Sequence, residues 1–192
     1  PFSEEQGGLG GGHTDLSLIF EEFGKAIVVE PYLANVVLAG GVLKRSNLEN
    51  ADELIAGIVS GETQISLANY EPMKGFNLDN VDATISSDGR INGTKSTVLN
   101  AGNADHFLVF GKSGDGYAFG LANRSSDGVK VVNYKTYDGF VSGDLILENC
   151  KCDAVFSAEN ALEILEETIL DAIVCVSSEA VGAMEKSYKL TI

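Results

Sequence analysis

The sequence predicts an α+β fold in three successive parts: N-terminal helices, a central antiparallel β-barrel or two-sheet sandwich, and one long C-terminal helix. Two switches of hydrophobic period carry that reading. Apolar residues recur every three or four positions in the first third, fall into short β-rich runs in the middle, and return to a 3–4 rhythm at the end. The divisions fall at residues 1–63, 64–156 and 157–192.

In the first part, Leu16, Ile19, Phe20, Phe23 and Ile27 mark an amphipathic helix, with Gly24 weakening its middle. Pro31 restarts the chain, and Leu33, Val36, Val37 and Leu43 mark a second helix. Asn50 and Glu53 have capping-box spacing ahead of Leu54, Ile55, Ile58 and Val59, and Gly61 is placed to close that third helix in the left-handed conformation.

The middle part holds seven β-rich runs: Ile65 to Ala68, Val81 to Ile85, Ile91 to Leu99, Phe107 to Phe110, Tyr117 to Leu121, Val129 to Tyr134 and Leu145 to Leu147. Ser87-Asp88-Gly89, Ser113-Gly114-Asp115-Gly116 and Ser126-Asp127-Gly128 between them are turn chemistry. Strands so closely spaced leave no room for crossover helices, so antiparallel pairing is expected. In the last part Ser157 is a candidate N-cap with Glu159 in the first turn. Leu162, Leu165, Ile169, Ile173, Val176, Ala180 and Ala183 then run along one helix, about 50 Å long if unbroken to Leu190. A half-apolar helix of that length calls for helical partners.

The chain has 192 residues, 44% of them hydrophobic and 21% charged, the composition of a globular protein with a real core. A formal net charge of −15 argues against binding nucleic acid or an anionic membrane surface, and no run reaches the length of a membrane span. The three cysteines cannot all pair within the chain, and the sequence opens without a signal peptide. Together these predict a reducing compartment, the cytoplasm or the mitochondrial matrix of a eukaryote. Cys150-Lys151-Cys152 lacks the further ligands of a zinc site, so no metal is expected. The glycine run Gly7 to Gly12 has neither a strand before it nor a Gly-Lys-Ser/Thr after it, and reads as a connector.

Two segments carry more specific chemistry. Ala68-Asn69-Tyr70-Glu71-Pro72-Met73-Lys74-Gly75 is a turn, and Ile91-Asn92-Gly93-Thr94-Lys95 opens a strand that continues through Thr97-Val98-Leu99-Asn100. The pairing resembles the middle domain of the flavin-dependent acyl-CoA dehydrogenases, where an alanine-x-threonine-glutamate-proline turn and an asparagine-glycine-x-lysine strand line a flavin from two sides. Gln6-Gly7-Gly8-Leu9-Gly10 upstream and Glu179 to Glu185 downstream fall in the family's order, so the resemblance covers nearly the whole chain. It implies a partial N-terminal helical domain, the middle β-domain and the first helix of the C-terminal bundle, either as a fragment of a longer product or as a shortened relative.

The resemblance further implies FAD as cofactor. Leu67, Asn69 and Tyr70 fall where the family contacts the flavin's pyrimidine side and the pyrophosphate, and Thr97, Val98 and Leu99 fall on the second wall. Tyr70 replaces the family's threonine. Thr97 stands where an aromatic ring covers the flavin. Gly75 and Phe76 fall at a substrate-binding turn in which the family's serine hydroxyl is lost. The implied reaction is α,β-dehydrogenation of an acyl-CoA thioester, in which a carboxylate takes the α-proton and a hydride passes to the flavin. In a minority of the family that carboxylate lies on the first bundle helix, at a position that is Ala172 here. Asp171 beside it is turned about 100° away. No catalytic residue is therefore assigned. The implied partners are acyl-CoA, a homo-oligomer or unlike-subunit pair, and an electron-transfer flavoprotein. Two alternatives remain open: an acyl-CoA oxidase on the same fold, and a non-catalytic partner subunit or acyl-CoA binder, which the residues Thr97, Phe76 and Ala172 favour.

Overall fold

The computed structural model describes residues 1–157 and 159–192. Leu16, Phe20 and Gly24 form the buried stripe of α1 (His13–Ala26), which ends where Ile27 adopts a left-handed φ of 53°. A π-helical turn, Leu33–Ala39, runs directly into α2 (Gly40–Arg45). Most of this continuous segment is buried. Its Asn35 side chain accepts a hydrogen bond from Ile65 N (2.8 Å) and donates one to Thr63 O (3.4 Å), fixing the helix to the first strand. In α3 (Ala51–Ser60) Ile55 and Ile58 face inward, and Gly61 closes the helix at φ 77° as its sequence position suggests. The capping box expected from Asn50 and Glu53 does not form, because the Asn50 side chain makes no capping hydrogen bond.

Eight strands follow: β1 (Ile65–Ala68), β2 (Thr84–Ile85), β3 (Arg90–Leu99), β4 (His106–Ser113), β5 (Gly116–Asn123), β6 (Val129–Lys135), β7 (Val141–Lys151) and β8 (Ala154–Phe156). They form one sheet in the order β6-β7-β3-β2-β4-β5-β8, with β1 also paired to β4. No helix interrupts them. Pairing is antiparallel except that β1 and β2 run parallel to β4, so the sheet is mixed and open at its ends rather than a closed antiparallel barrel. Neither β1 nor β2 reaches β4 through a hairpin. Each is joined to it by a longer path, and that frees the parallel direction.

Successive residues of β4 enter different cores. Leu108 and Phe110 pack with the helices, beside Phe119 and Phe156, whereas Phe107 and Val109 pack with Ile91, Val98, Leu145 and Leu147 of β3 and β7. A strand buried on both faces reads as a continuous apolar run, which is why His106–Ser113 shows no alternation. Apolar residues of β3 and β7 thus share this second core with those of β4 and β5.

The chain ends in α4 (Ala161–Thr191), 31 residues or about 46 Å long. It starts after Asn160 rather than after Ser157. Ser157 has a φ of 56°, and its N–H donates to Asn47 Oδ1 (2.8 Å), so it belongs to a loop contact. Helices α1 and α4 cross at two glycines. A methyl group on Gly24 would lie 1.9 Å from Glu179 O, and one on Gly182 would lie 1.9 Å from Glu21 O. Along its length α4 also leaves Leu170, Ile173, Val181, Met184 and Leu190 exposed. Among the described residues no helix is long and apolar enough to cross a membrane, no group of His, Cys, Asp and Glu is arranged to hold a metal, and all three cysteines are free and buried.

Candidate functional site

A cavity of about 640 Å³ opens where helices and sheet meet. Its helical side is built from Gly24 and Ile27 at the end of α1, Val28 and Val29 beyond it, Leu33 at the start of the π-turn, and Val176, Glu179, Ala180 and Ala183 of α4. Its sheet side comes from Thr97, Leu99 and Asn100 at the end of β3 and from the β6–β7 hairpin around Asp138 and Phe140. The walls are mainly apolar, with a few polar groups, which is the usual make-up of a small-molecule site.

A bulge shapes the sheet wall. The β3–β7 register shifts between Lys95 and Val98, and Thr97 inside the bulge has a φ of 54°. A left-handed conformation is rare for a β-branched residue. It is held by Thr97 N–H donating to Asp144 Oδ1 (3.2 Å), an atom that also accepts from Tyr134 Oη (3.1 Å). Thr97 and Leu99 then line the cavity, while Val98 is turned into the second core at 2% exposure. The three residues therefore do not share one wall, because alternate side chains of a strand point to opposite faces.

The turn after β1 lies beside this wall. Ser96 N–H donates to Tyr70 O (2.9 Å), and Lys95 Nζ donates to Asn69 O (3.3 Å). Leu67 is buried under the helices. Asn69 is buried too, and its Nδ2 has no protein partner among the described residues. The Tyr70 ring meets Phe76 edge-on, with centroids 5.9 Å apart. Gly75 has a φ of 68°, and Phe76 is 87% exposed, so this turn faces outward. None of Leu67, Asn69, Tyr70, Gly75 and Phe76 lines the cavity. The structure thus brings Leu67–Tyr70 and Thr97–Leu99 side by side, places only Thr97 and Leu99 in the cavity, and leaves Gly75 and Phe76 on the surface.

The two positions considered for a base are both occupied otherwise. Ala172 is buried in the helical core. Asp171 lies between His13 Nε2 (2.8 Å) and Arg45 Nη2 (2.7 Å), against α1 and α2. At about 100° per residue it sits roughly 80–180° around α4 from the four residues that line the cavity. The acidic side chain that α4 does present there is Glu179. Burial raises its carboxyl pKa, and the negative Asp138 raises it further. Sequence reasoning passed over Glu179. The spacing 176, 179, 180, 183 is a single helical stripe that includes it, but nothing in a sequence alone says which stripe faces a cavity.

No protein-family model matches the chain, and no curated protein does. Solved structures match it closely. Butyryl-CoA dehydrogenase from Megasphaera elsdenii superposes on 96% of the chain with a TM-score of 0.85 at 22% identity. The ChsE4–ChsE5 complex from Mycobacterium tuberculosis does so over 98% with a TM-score of 0.82 at 28% identity. The chain has the acyl-CoA dehydrogenase fold. The FAD complex of PigA matches all of the chain, with a TM-score of 0.91 at 20% identity. The chain covers 54%, 51% and 55% of these three, so it spans about half of the length over which this fold extends in them.

Proposed function

We propose that the chain forms the flavin- and acyl-enclosing part of an acyl-CoA dehydrogenase-like flavoprotein. The observation that carries this reading is the apolar cavity walled on one side by the bulged end of β3 and on the other by α1 and α4, in a chain of this fold. The adjoining turn suits a flat cofactor with a polar edge. Asn69 offers a buried, unpartnered Nδ2 there, and the backbone on both sides is pinned by the Tyr70–Ser96 hydrogen bond.

FAD, when bound, would supply the hydride acceptor for α,β-dehydrogenation of an acyl-CoA thioester. In this reading Asn69 and Tyr70 hold its polar edge and Thr97 and Leu99 meet it from β3. Ile27, Val28 and Val176 offer apolar surface to the acyl group. Thr97 offers no ring to stack, so retention rests on hydrogen bonds and on the shape of the wall. The ChsE4–ChsE5 structure is a complex of two named components, and an electron transferring flavoprotein of Acidaminococcus fermentans matches with a TM-score of 0.86. These favour an oligomeric, electron-transferring protein in which the chain is one part. A partner subunit that binds acyl-CoA without dehydrogenating it is the second reading, supported by the commitment of Asp171 to Arg45 and by Ala172 at the alternative base position.

The test is an absorption spectrum near about 450 nm of the purified protein, followed by titration with FAD and then with a panel of acyl-CoAs. Binding of flavin and of an acyl-CoA is the expected result. Bleaching in a longer protein that joins this chain to a carboxylate base selects the first reading, binding without bleaching in that protein selects the second, and failure of this chain to bind either ligand removes both.

A further inference from the structure

Glu179 is the charged group of the cavity that has nothing to bind. Among the described residues its carboxylate makes no hydrogen bond and no ion pair, although it sits in an apolar wall between Val176 and Ala183. Its place is fixed, because Glu179 O packs against Gly24 at the helix crossing. The neighbouring cation is committed elsewhere: Lys25 Nζ binds Glu21 (2.7 Å), Glu22 (2.9 Å) and Glu185 (2.9 Å). The other acid lining the cavity, Asp138, already accepts hydrogen bonds from Thr136 Oγ1 (2.5 Å) and Phe140 N (3.3 Å). A second polar group is also unsatisfied: Ser142, fully buried in the same lining, has an Oγ with no partner.

We propose that Glu179 sets the ligand specificity of this cavity, favouring an apolar ligand that ends in a hydroxyl or ammonium group and rejecting one that ends in a carboxylate. A partly desolvated carboxylate without a donor is held at a cost, and a ligand O–H or N–H removes that cost through a charge-assisted hydrogen bond. A ligand carboxylate would instead bring a third negative charge beside the partly buried Glu179 and the exposed Asp138. Burial, followed by Asp138, raises the Glu179 pKa, as an uncompensated carboxylate requires. Ser142 Oγ supplies a second hydrogen-bonding point for a hydroxylated or ring-shaped ligand. The inference rests on the cavity being the acyl site proposed above.

The experiment compares 1-octanol, octylamine and octanoate binding to the purified protein by NMR titration, and then octanoyl-CoA with its ω-hydroxy and ω-carboxy forms. The wild type is expected to bind the alcohol and the amine at least about tenfold more tightly than octanoate, with the same order among the thioesters. Glu179→Leu should abolish that order, and Glu179→Gln should keep the alcohol while losing the preference for the amine. An order unchanged in Glu179→Leu overturns the inference, even where thioesters bind. A Glu179-dependent order among the free ligands with no thioester binding upholds it and removes the acyl-CoA reading instead. Failure of every ligand to bind overturns both.

Discussion

Glu71 and Lys95 lie 24 residues apart in sequence and meet as a buried ion pair, with Lys95 Nζ 2.7 Å from Glu71 Oε1 and side chains 0% and 5% exposed. The same carboxylate accepts hydrogen bonds from Asp82 N (2.6 Å) and Ala83 N (2.9 Å). Every oxygen of Glu71 is thus used, and the turn after β1, the approach to β2 and the middle of β3 are joined at one point. Burial alone would raise the Glu71 pKa. The hydrogen bond from Lys95 and those from the two backbone N–H groups outweigh it, and the carboxyl is held below its ordinary value. Burial lowers the Lys95 pKa, and Glu71 restores only part of it.

Lys95→Met should destabilise the chain by about 3–5 kcal/mol, because it strands a buried carboxylate, whereas pairing it with Glu71→Gln should recover much of the loss. Urea denaturation of the two variants beside the wild type measures both numbers.

The depressed Glu71 pKa gives its contribution a direction with pH. That contribution is fully present above the unfolded-state value of about 4.3 and is lost as pH falls through the lower folded value. Acid unfolding of Glu71→Gln, followed by circular dichroism, should therefore show a shallower fall in stability below about pH 4 than the wild type.

Gly24→Ala and Gly182→Ala should each cost roughly 3 kcal/mol, because each methyl group meets a backbone carbonyl that cannot move aside without separating α1 from α4. The melting temperatures should fall together. The cavity, which spans the same crossing, should lose ligand binding in both variants.

Thr97→Gly should stabilise the chain by about 1 kcal/mol by relieving a left-handed β-branched residue. Thr97→Trp should slow FAD release by supplying a ring, an aromatic contact being worth about 0.5–1.5 kcal/mol beyond its area. The measurement is the rate of flavin loss on gel filtration.

Asp171→Asn should lower stability by about 1 kcal/mol through its weakened contacts to Arg45 and His13, and leave acyl-CoA binding unchanged. A change in binding without a change in stability would place Asp171 in the site instead.

The periods of the sequence were enough to read the order of helices, sheet and helix, and the span Ile65–Ala68 is a strand to the residue. Local signals did less well where a distant group competed for the backbone. Val81 to Ile85 reads as a strand, but only Thr84–Ile85 pairs, because Glu71 takes the N–H groups of Asp82 and Ala83. Ala154–Phe156 was too short to show a period. The flanks of β7 beyond Leu145 to Leu147 do not alternate cleanly, since Ser142 and Gly143 are both buried.

The candidate site divides in the same way. The two motifs, Asn69-Tyr70-Glu71-Pro72 and Asn92 to Leu99, are visible as residue types at a spacing, and their adjacency follows from the family they resemble. Which side chains face a common cavity does not follow, because one bulged residue reverses the facing of a strand and helix rotation depends on what packs behind it. The bulge at Thr97 turned Val98 into the core, and the glycine crossing at Gly24 and Gly182 set the rotation that presents Glu179 rather than Asp171. The sequence alone determined the order of helices, sheet and closing helix and the chemistry they carry, since both depend on neighbours along the chain. Only the tertiary structure decided which groups share a space, because that depends on contacts between residues far apart in sequence.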